Sequence, residues 1–203
     1  MTTQALGDQL TVDPDLSQQN EANAALGGNT DHSLPAVIAT REAIEAAKLE
    51  AGDLAGGTAN LRPLGEPAAT TGLPEETLYS VVELARLTAG VGRCADRATF
   101  TAAWAASMPA ALPIYPRGNT LEAAGTDAGG CKLRAVRFLT PVTSEDALAF
   151  YAAMARRGGF GVVHERAGET DILRGSSGRR HYSVYVRRRE TGITDVALVT
   201  SGF

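Results

Sequence analysis

Tyr182-Ser183-Val184-Tyr185-Val186, inside the longer run 180–188, decides the fold class. Successive side chains of an extended chain point to opposite faces, so this alternation lays apolar groups on one side and polar or aromatic groups on the other. Three more stretches, 160–165, 170–174 and 194–201, read as strands. Gly168, Gly175-Ser176-Ser177-Gly178 and Thr191-Gly192 read as their turns. Turns this short join antiparallel neighbours. Upstream, residues 133–139 form another strand, more apolar at its end than a clean alternation. Thr143 or Ser144 caps a helix with Glu145 and Asp146 in its first turn. Its core face is Ala147, Phe150, Tyr151 and Met154, and Arg156-Arg157-Gly158-Gly159 closes it. The expected fold is α+β, an antiparallel sheet of four to six strands with helices packed on one face.

Two further helices are expected before the first strand. Pro74 opens one, with Glu75 and Glu76 at its positive end, Leu78, Val81, Val82 and Ala85 on one face, and Gly90 and Gly92 at its close. The other covers 98–108, where Phe100 and Trp104 would be i, i+4 neighbours, until Pro109 and Pro113 break it. Residues 114–118 read as an extended piece running into a turn. These elements place an α+β domain at 73–203.

Residues 1–72 read as a largely irregular acidic arm containing no Tyr, Phe or Trp. Such a segment cannot bury enough area to offset the entropy of ordering it alone. One short helix is expected near 41–51, capped by Thr40, with Ile44, Ala47 and Ala51 on one stripe and Gly52 and Gly56-Gly57 as the stop. Apolar clusters at 10–12, 34–38 and 61–64 recur along the arm like contact points on a strap, although a plain tether has the same composition. Charge divides likewise. Residues 1–92 hold thirteen acids and four bases, a net of −9, and residues 93–203 hold ten acids and fifteen bases, a net of +5. Arm and domain are therefore expected to meet each other or two different partners.

Cys94 and Cys131, the two cysteines, lie 37 positions apart. They form no Cys-x-x-Cys redox motif, and a zinc site would need two more ligands from His32, His164 and His181, none near another at ligand spacing. A structural disulfide, worth roughly 4 kcal/mol by chain entropy and persisting only in an oxidising compartment, stands beside the alternative of two separately buried thiols. A catalytic thiol lacks a histidine whose context marks it as a partner. No apolar run approaches the ~18 residues of a membrane span. Residues 1–10 have neither the basic start nor the apolar core of a signal peptide, so the exported reading takes that segment as already removed.

Several stretches carry a resemblance: Trp104-Ala105, Met108-Pro109, Leu112-Pro113-Ile114-Tyr115-Pro116, Glu122-Ala123-Ala124-Gly125-Thr126-Asp127 leading to Cys131, Phe138-Leu139-Thr140-Pro141 and Phe150-Tyr151. Over roughly 75–203, and around Val12-Asp13-Pro14, the chain resembles a group of uncharacterised exported proteins of Gram-negative bacteria, many of them lipoproteins. The resemblance implies a periplasmic or outer-envelope location and a bonded Cys94–Cys131 pair. It implies no activity. The lipidated cysteine of such proteins is not among these residues.

His164 and Glu165 are adjacent on a strand and so face opposite ways, a poor acid–base pair. His181, beside Arg179 and Arg180, reads as a solvated strand end. Gly175–Gly178 with Arg174, Arg179 and Arg180 reads as an anion cradle or, more simply, a basic hairpin tip. Trp104, Tyr115 and Tyr151 are the candidate lining of a pocket between helices and sheet. Arg117, Arg187 and Arg188 are candidate partner or headgroup contacts, and Leu34, Val37 and Ile38 the candidate contact cluster of the arm. No hydrolase, metalloprotease or EF-hand signature occurs. The expectation is an exported accessory or structural protein of the cell envelope that acts by protein–protein interaction, its arm a tether or wrapping strap. Another envelope protein or membrane complex is the expected partner, membrane-surface contact is compatible with the charge, and no nucleic acid, cofactor or metal is expected. The alternative is a small-ligand-binding protein or enzyme with a pocket between helices and sheet.

Overall fold

The computed structural model describes residue 37 and residues 39–70 and 80–203. Its helices are α1 (Arg41–Leu54), α2 (Val81–Leu87), α3 (Ala103–Ala106) and α4 (Ser144–Arg157). Its strands are β1 (Ala68–Ala69), β2 (Thr99–Phe100), β3 (Asn119–Thr126), β4 (Leu133–Thr140), β5 (Val163–Ala167), β6 (Thr170–Ser177), β7 (Arg180–Arg188) and β8 (Thr194–Ser201). They form one sheet in the order β1-β5-β6-β7-β8-β4-β3-β2, antiparallel throughout except for the parallel pair β1–β5.

The fold is α+β as expected, but the sheet has eight strands and not four to six. The difference lies in β3 and in two edge strands of two residues each. β3 reads Asn-Thr-Leu-Glu-Ala-Ala-Gly-Thr, without a β-branched or aromatic run. It is a strand because it pairs along β4 from Asn119↔Leu139 to Thr126↔Leu133. Phe100 belongs to β2 and not to a helix shared with Trp104, and α3 is a single turn. β6 continues through Gly175 to Ser177, so the expected anion cradle is ladder backbone opposite Tyr182, His181 and Arg180.

The helices cover both faces, not one. On the first face Val136, Phe138, Leu173, Tyr182, Val184, Val186, Val196 and Leu198 pack beneath α4. On the second, Leu133, Ala135, Ile172, Tyr185, Ala197 and Val199 pack beneath α2. Every residue of β8 is consequently buried, which removes the in–out alternation that a one-sided sheet would show. A capping box starts α2: Ser80 Oγ accepts from Glu83 N (3.3 Å) while Glu83 Oε2 accepts from Ser80 N (2.9 Å). The expected opening at Pro74 lies outside the described residues. Cys94 and Cys131 are bonded, with 5.7 Å between their Cα atoms. The bond fastens the 3-10 turn Gly92–Arg97, which follows α2, to the chain just ahead of β4.

α4 starts where expected, with Thr143 Oγ1 accepting from Asp146 N at 3.1 Å. Its buried surface is wider than the expected stripe, because every residue from Ala147 to Ala155 is buried. A helix buried all round needs cover on two sides. The sheet supplies one and α1 the other. α1 and its C-cap present Ala47, Ala51 and Ala55 at i, i+4, i+8, exposed by only 0%, 0% and 3%. Gly52 does not stop this helix; a Cβ there would lie 2.6 Å from Thr58 Cγ2, so glycine permits a close approach. The compact unit therefore runs from Val37 to Phe203 and includes a segment that composition assigned to the arm.

One charged cluster sits inside the sheet. Asp195 accepts from Arg137 (Nε–Oδ1 2.9 Å, Nη2–Oδ2 2.6 Å) and from Arg189 (Nε–Oδ2 3.0 Å). Burial opposes its charged form, but the two guanidiniums outweigh burial and hold the carboxyl below its ordinary range.

Replacing Ala51 by Leu should overfill the α1–α4 seam and lower stability by about 1–3 kcal/mol in urea unfolding; an unchanged midpoint would mean that α1 does not pack there. For Asp195 the folded pKa is depressed, so its contribution is complete above the unfolded value of ~3.9 and is lost as pH falls through the folded value. Asp195→Asn should cost about 3–5 kcal/mol at neutral pH, where it leaves two guanidiniums unpaired. Unfolding at pH 7 and pH 3 checks the sign, the wild type losing more stability on acidification than the variant.

Candidate functional site

Of the three residues read as the lining of a pocket, Tyr115 and Tyr151 are fully buried. Tyr115 and Tyr151 stand edge-on to Phe150 inside the core, with centroids 4.9 and 5.1 Å away. Tyr151 Oη donates to Pro113 O at 3.0 Å, and Tyr115 Oη is buried with no partner among the described residues. Burial pushes both phenols above their ordinary range, and at Tyr115 the charge of Asp146 adds to it. Trp104 is partly buried against the same core cluster, beneath the Arg134 guanidinium at 4.5 Å and over Gly125, where a Cβ would come within 2.8 Å of the indole.

The arginines named from sequence make contacts within the chain. Arg117 pairs with Glu50 at 2.7 Å and so joins the turn after Tyr115 to α1. Arg188 donates from Nη1 to Val142 O (2.9 Å) and Thr194 Oγ1 (3.1 Å), tying the loop before α4 to the sheet. Arg187 reaches Glu169 at 3.4 Å. Val37 is half-buried. Leu34 and Ile38 lie outside the described residues.

What the structure does gather is a seam between residues 41–70 and the rest of the unit. Lys48 Nζ meets Asp146 at 2.9 Å, and Arg157 Nη1 donates to Leu54 O at 3.2 Å. β1 adds two residues beside β5, and Thr70 N donates to Arg166 O at 3.0 Å. Between these ties stands His164. Its Nε2 lies 2.9 Å from Asp171 Oδ1 and its Nδ1 3.1 Å from Gly65 O. Both partners are acceptors, so the ring makes both bonds together only with a proton on each nitrogen. Asp171 also accepts from Arg166 Nε (2.9 Å) and Nη2 (3.2 Å). Glu165 points to the opposite face and pairs with Arg174 at 3.3 Å, as the strand geometry predicts.

Among the described residues, three clefts open along this seam. One, of about 420 Å³, brings Ser144, His164 and Asp171 together. Ser144 Oγ is buried there with no partner among the described residues. A serine relay needs the ring nitrogen remote from the aspartate to face the hydroxyl. Here that nitrogen is bonded to Gly65 O, so the arrangement works as a clasp on the 61–67 stretch. The second cleft, about 700 Å³, has Ile44, Leu49 and Leu61 along an apolar wall. The third, about 660 Å³, is lined by Arg62, Arg156 and Arg157.

Sequence reading missed the seam because its inner face is alanine, and alanine repeats carry little hydrophobic signal. The pairing of His164 with Asp171 joins neighbouring strands and has no local motif. Compared with family models, curated proteins and solved structures, the chain matches none.

Replacing His164 by Leu should release Gly65 while leaving the sheet folded. The expected result is faster cleavage between Leu61 and Thr70 by a broad-specificity protease, with about 1–2 kcal/mol lost from global stability. Equal cleavage of wild type and variant would remove the clasp from the argument.

Proposed function

We propose that this is an exported accessory protein of the cell envelope that acts by holding another envelope protein, with residues 41–70 as a strap that presents the contact surface. One observation carries the reading: α1 is inverted in size. It buries Ala47 and Ala51 and leaves its larger Leu49 62% exposed beside Ile44 and Leu61. A helix that served only to close its own core would turn its leucine inward. A small inner face and a large apolar outer one suit a segment lying between two protein surfaces.

Two other features support it. The Cys94–Cys131 bond supports this reading, because such bonds persist in oxidising compartments. The aromatic candidates for a ligand pocket, Tyr115 and Tyr151, instead fill the core. Among the described residues, no helix is long and apolar enough to cross a membrane.

The test places a photo-crosslinking residue at Leu49 in the producing cell. A discrete cross-linked envelope protein is expected, reduced when Ile44 and Leu61 are both changed to Ser. If only uncross-linked chain is recovered, with Cys94 and Cys131 as free thiols in the cytoplasmic fraction, the proposal fails in both place and role.

A further inference from the structure

The cleft lined by Arg62, Arg156 and Arg157 gathers three guanidinium-bearing residues around one hollow. Many other guanidinium and ammonium groups face carboxylates: Arg134 and Lys132 meet Asp127, Arg137 and Arg189 meet Asp195, Arg166 meets Asp171, and Arg174 meets Glu165. No carboxylate lines this cleft, and none of its three arginines forms an ion pair with a described residue. The chain as a whole carries a net charge of −4, and this hollow concentrates three cations that have no described acid beside them. Three like charges held together repel one another, and an anion between them removes that penalty.

The hollow is also built. Gly56 has φ +80°, and a Cβ there would lie 2.5 Å from Arg157 Nη1, so only a glycine lets that guanidinium lie across the end of α1. Arg157 is held there by Leu54 O, which leaves most of its five N–H donors for another acceptor. Asn60 Nδ2 donates to Ala55 O (3.0 Å) and Gly56 O (3.2 Å), occupying carbonyls that would otherwise present negative charge to the cleft. Arg156 and Arg157 in the last turn of α4 are placed well for its helix dipole. Arg62 is not: it stands just after the 3-10 turn Thr58–Asn60, with a 3.4 Å bond to Ala59 O. Its convergence with the other two needs a different reason.

We propose that this cleft binds a phosphate-bearing anion, with Arg62, Arg156 and Arg157 as its ligands. Guanidinium forks match the geometry of phosphate oxygens, and three of them suit a group with several oxygens and more than one charge better than a single carboxylate. About 660 Å³ is room for a headgroup or a small phosphate ester. Arg62 comes from the strap and the other two from α4, so the bound anion pins the strap to the domain at a point separate from His164.

The test titrates the purified protein with pyrophosphate at constant ionic strength, by calorimetry, and in parallel measures sedimentation with phosphatidylglycerol vesicles against phosphatidylcholine vesicles. Saturable pyrophosphate binding, weakened roughly tenfold or more by Arg62→Gln or by Arg156→Gln, assigns the site to soluble phosphates; that is the scale of one charge-assisted hydrogen bond. Binding confined to phosphatidylglycerol and lost in the same variants assigns it to a lipid headgroup. Arg179→Gln, at the turn between β6 and β7, should leave either interaction intact. Arg62 is exposed just after a 3-10 turn, so its variant keeps the fold even if the α4 variant does not. No saturable interaction with either probe, or one insensitive to both cleft variants, overturns the proposal.

Discussion

The structure depends on the burial of α4 on every side. Its alanines leave a shallow surface, and the sheet can cover only half of it. The other half must be covered by something that comes close. Ala47, Ala51 and Ala55 provide the close approach, and Gly52 extends it to Thr58. Without α1, α4 would lose part of its cover. A segment without a single aromatic residue is ordered here because its alanines fit an alanine surface, and because β1 and the His164 clasp hold its downstream end.

Charge plays a smaller part in that docking than the opposite balances of the two halves suggest. The pairs that cross the seam run in both senses, Lys48 to Asp146 and Arg117 to Glu50. All four side chains are partly exposed, and such pairs contribute about 0–1 kcal/mol each. They fix the register of α1 more than they hold it. Arg156 and Arg157 of the domain meet Arg62 of the strap at the third cleft, which no described acid lines.

Much of the frame was legible. β4, β7, β8 and α4 follow from periodicity, capping residues and turns, because each carries enough large apolar or charged residues at fixed spacing to record its environment. β3 was not legible: its Ala-Ala-Gly stretch has no strand preference of its own, and only the full-length ladder with β4 imposes one. Two-sided cover of the sheet was hidden for a related reason. Tyr185 reads as an outward aromatic, yet it packs beneath α2 and donates from Oη to Leu84 O at 3.4 Å. Phe100 and Trp104 have helical spacing, but Thr99 and Phe100 pair with Gly125 and Ala124, and the edge of a sheet overrides the local preference. Of the candidate site, only the opposed faces of His164 and Glu165 could be read ahead. The clasp on Gly65 and the three-arginine cleft join residues about 100 positions apart in sequence, and no local pattern records such pairings.

Amide hydrogen exchange on the unmodified chain tests most directly whether the strap is part of the folded unit. Residues 44–54 and 68–70 should exchange slowly and lose protection in the same cooperative opening as the outer strands β5 and β6. Exchange of these amides at free-chain rates, while β4, β7 and β8 remain protected, would contradict the account.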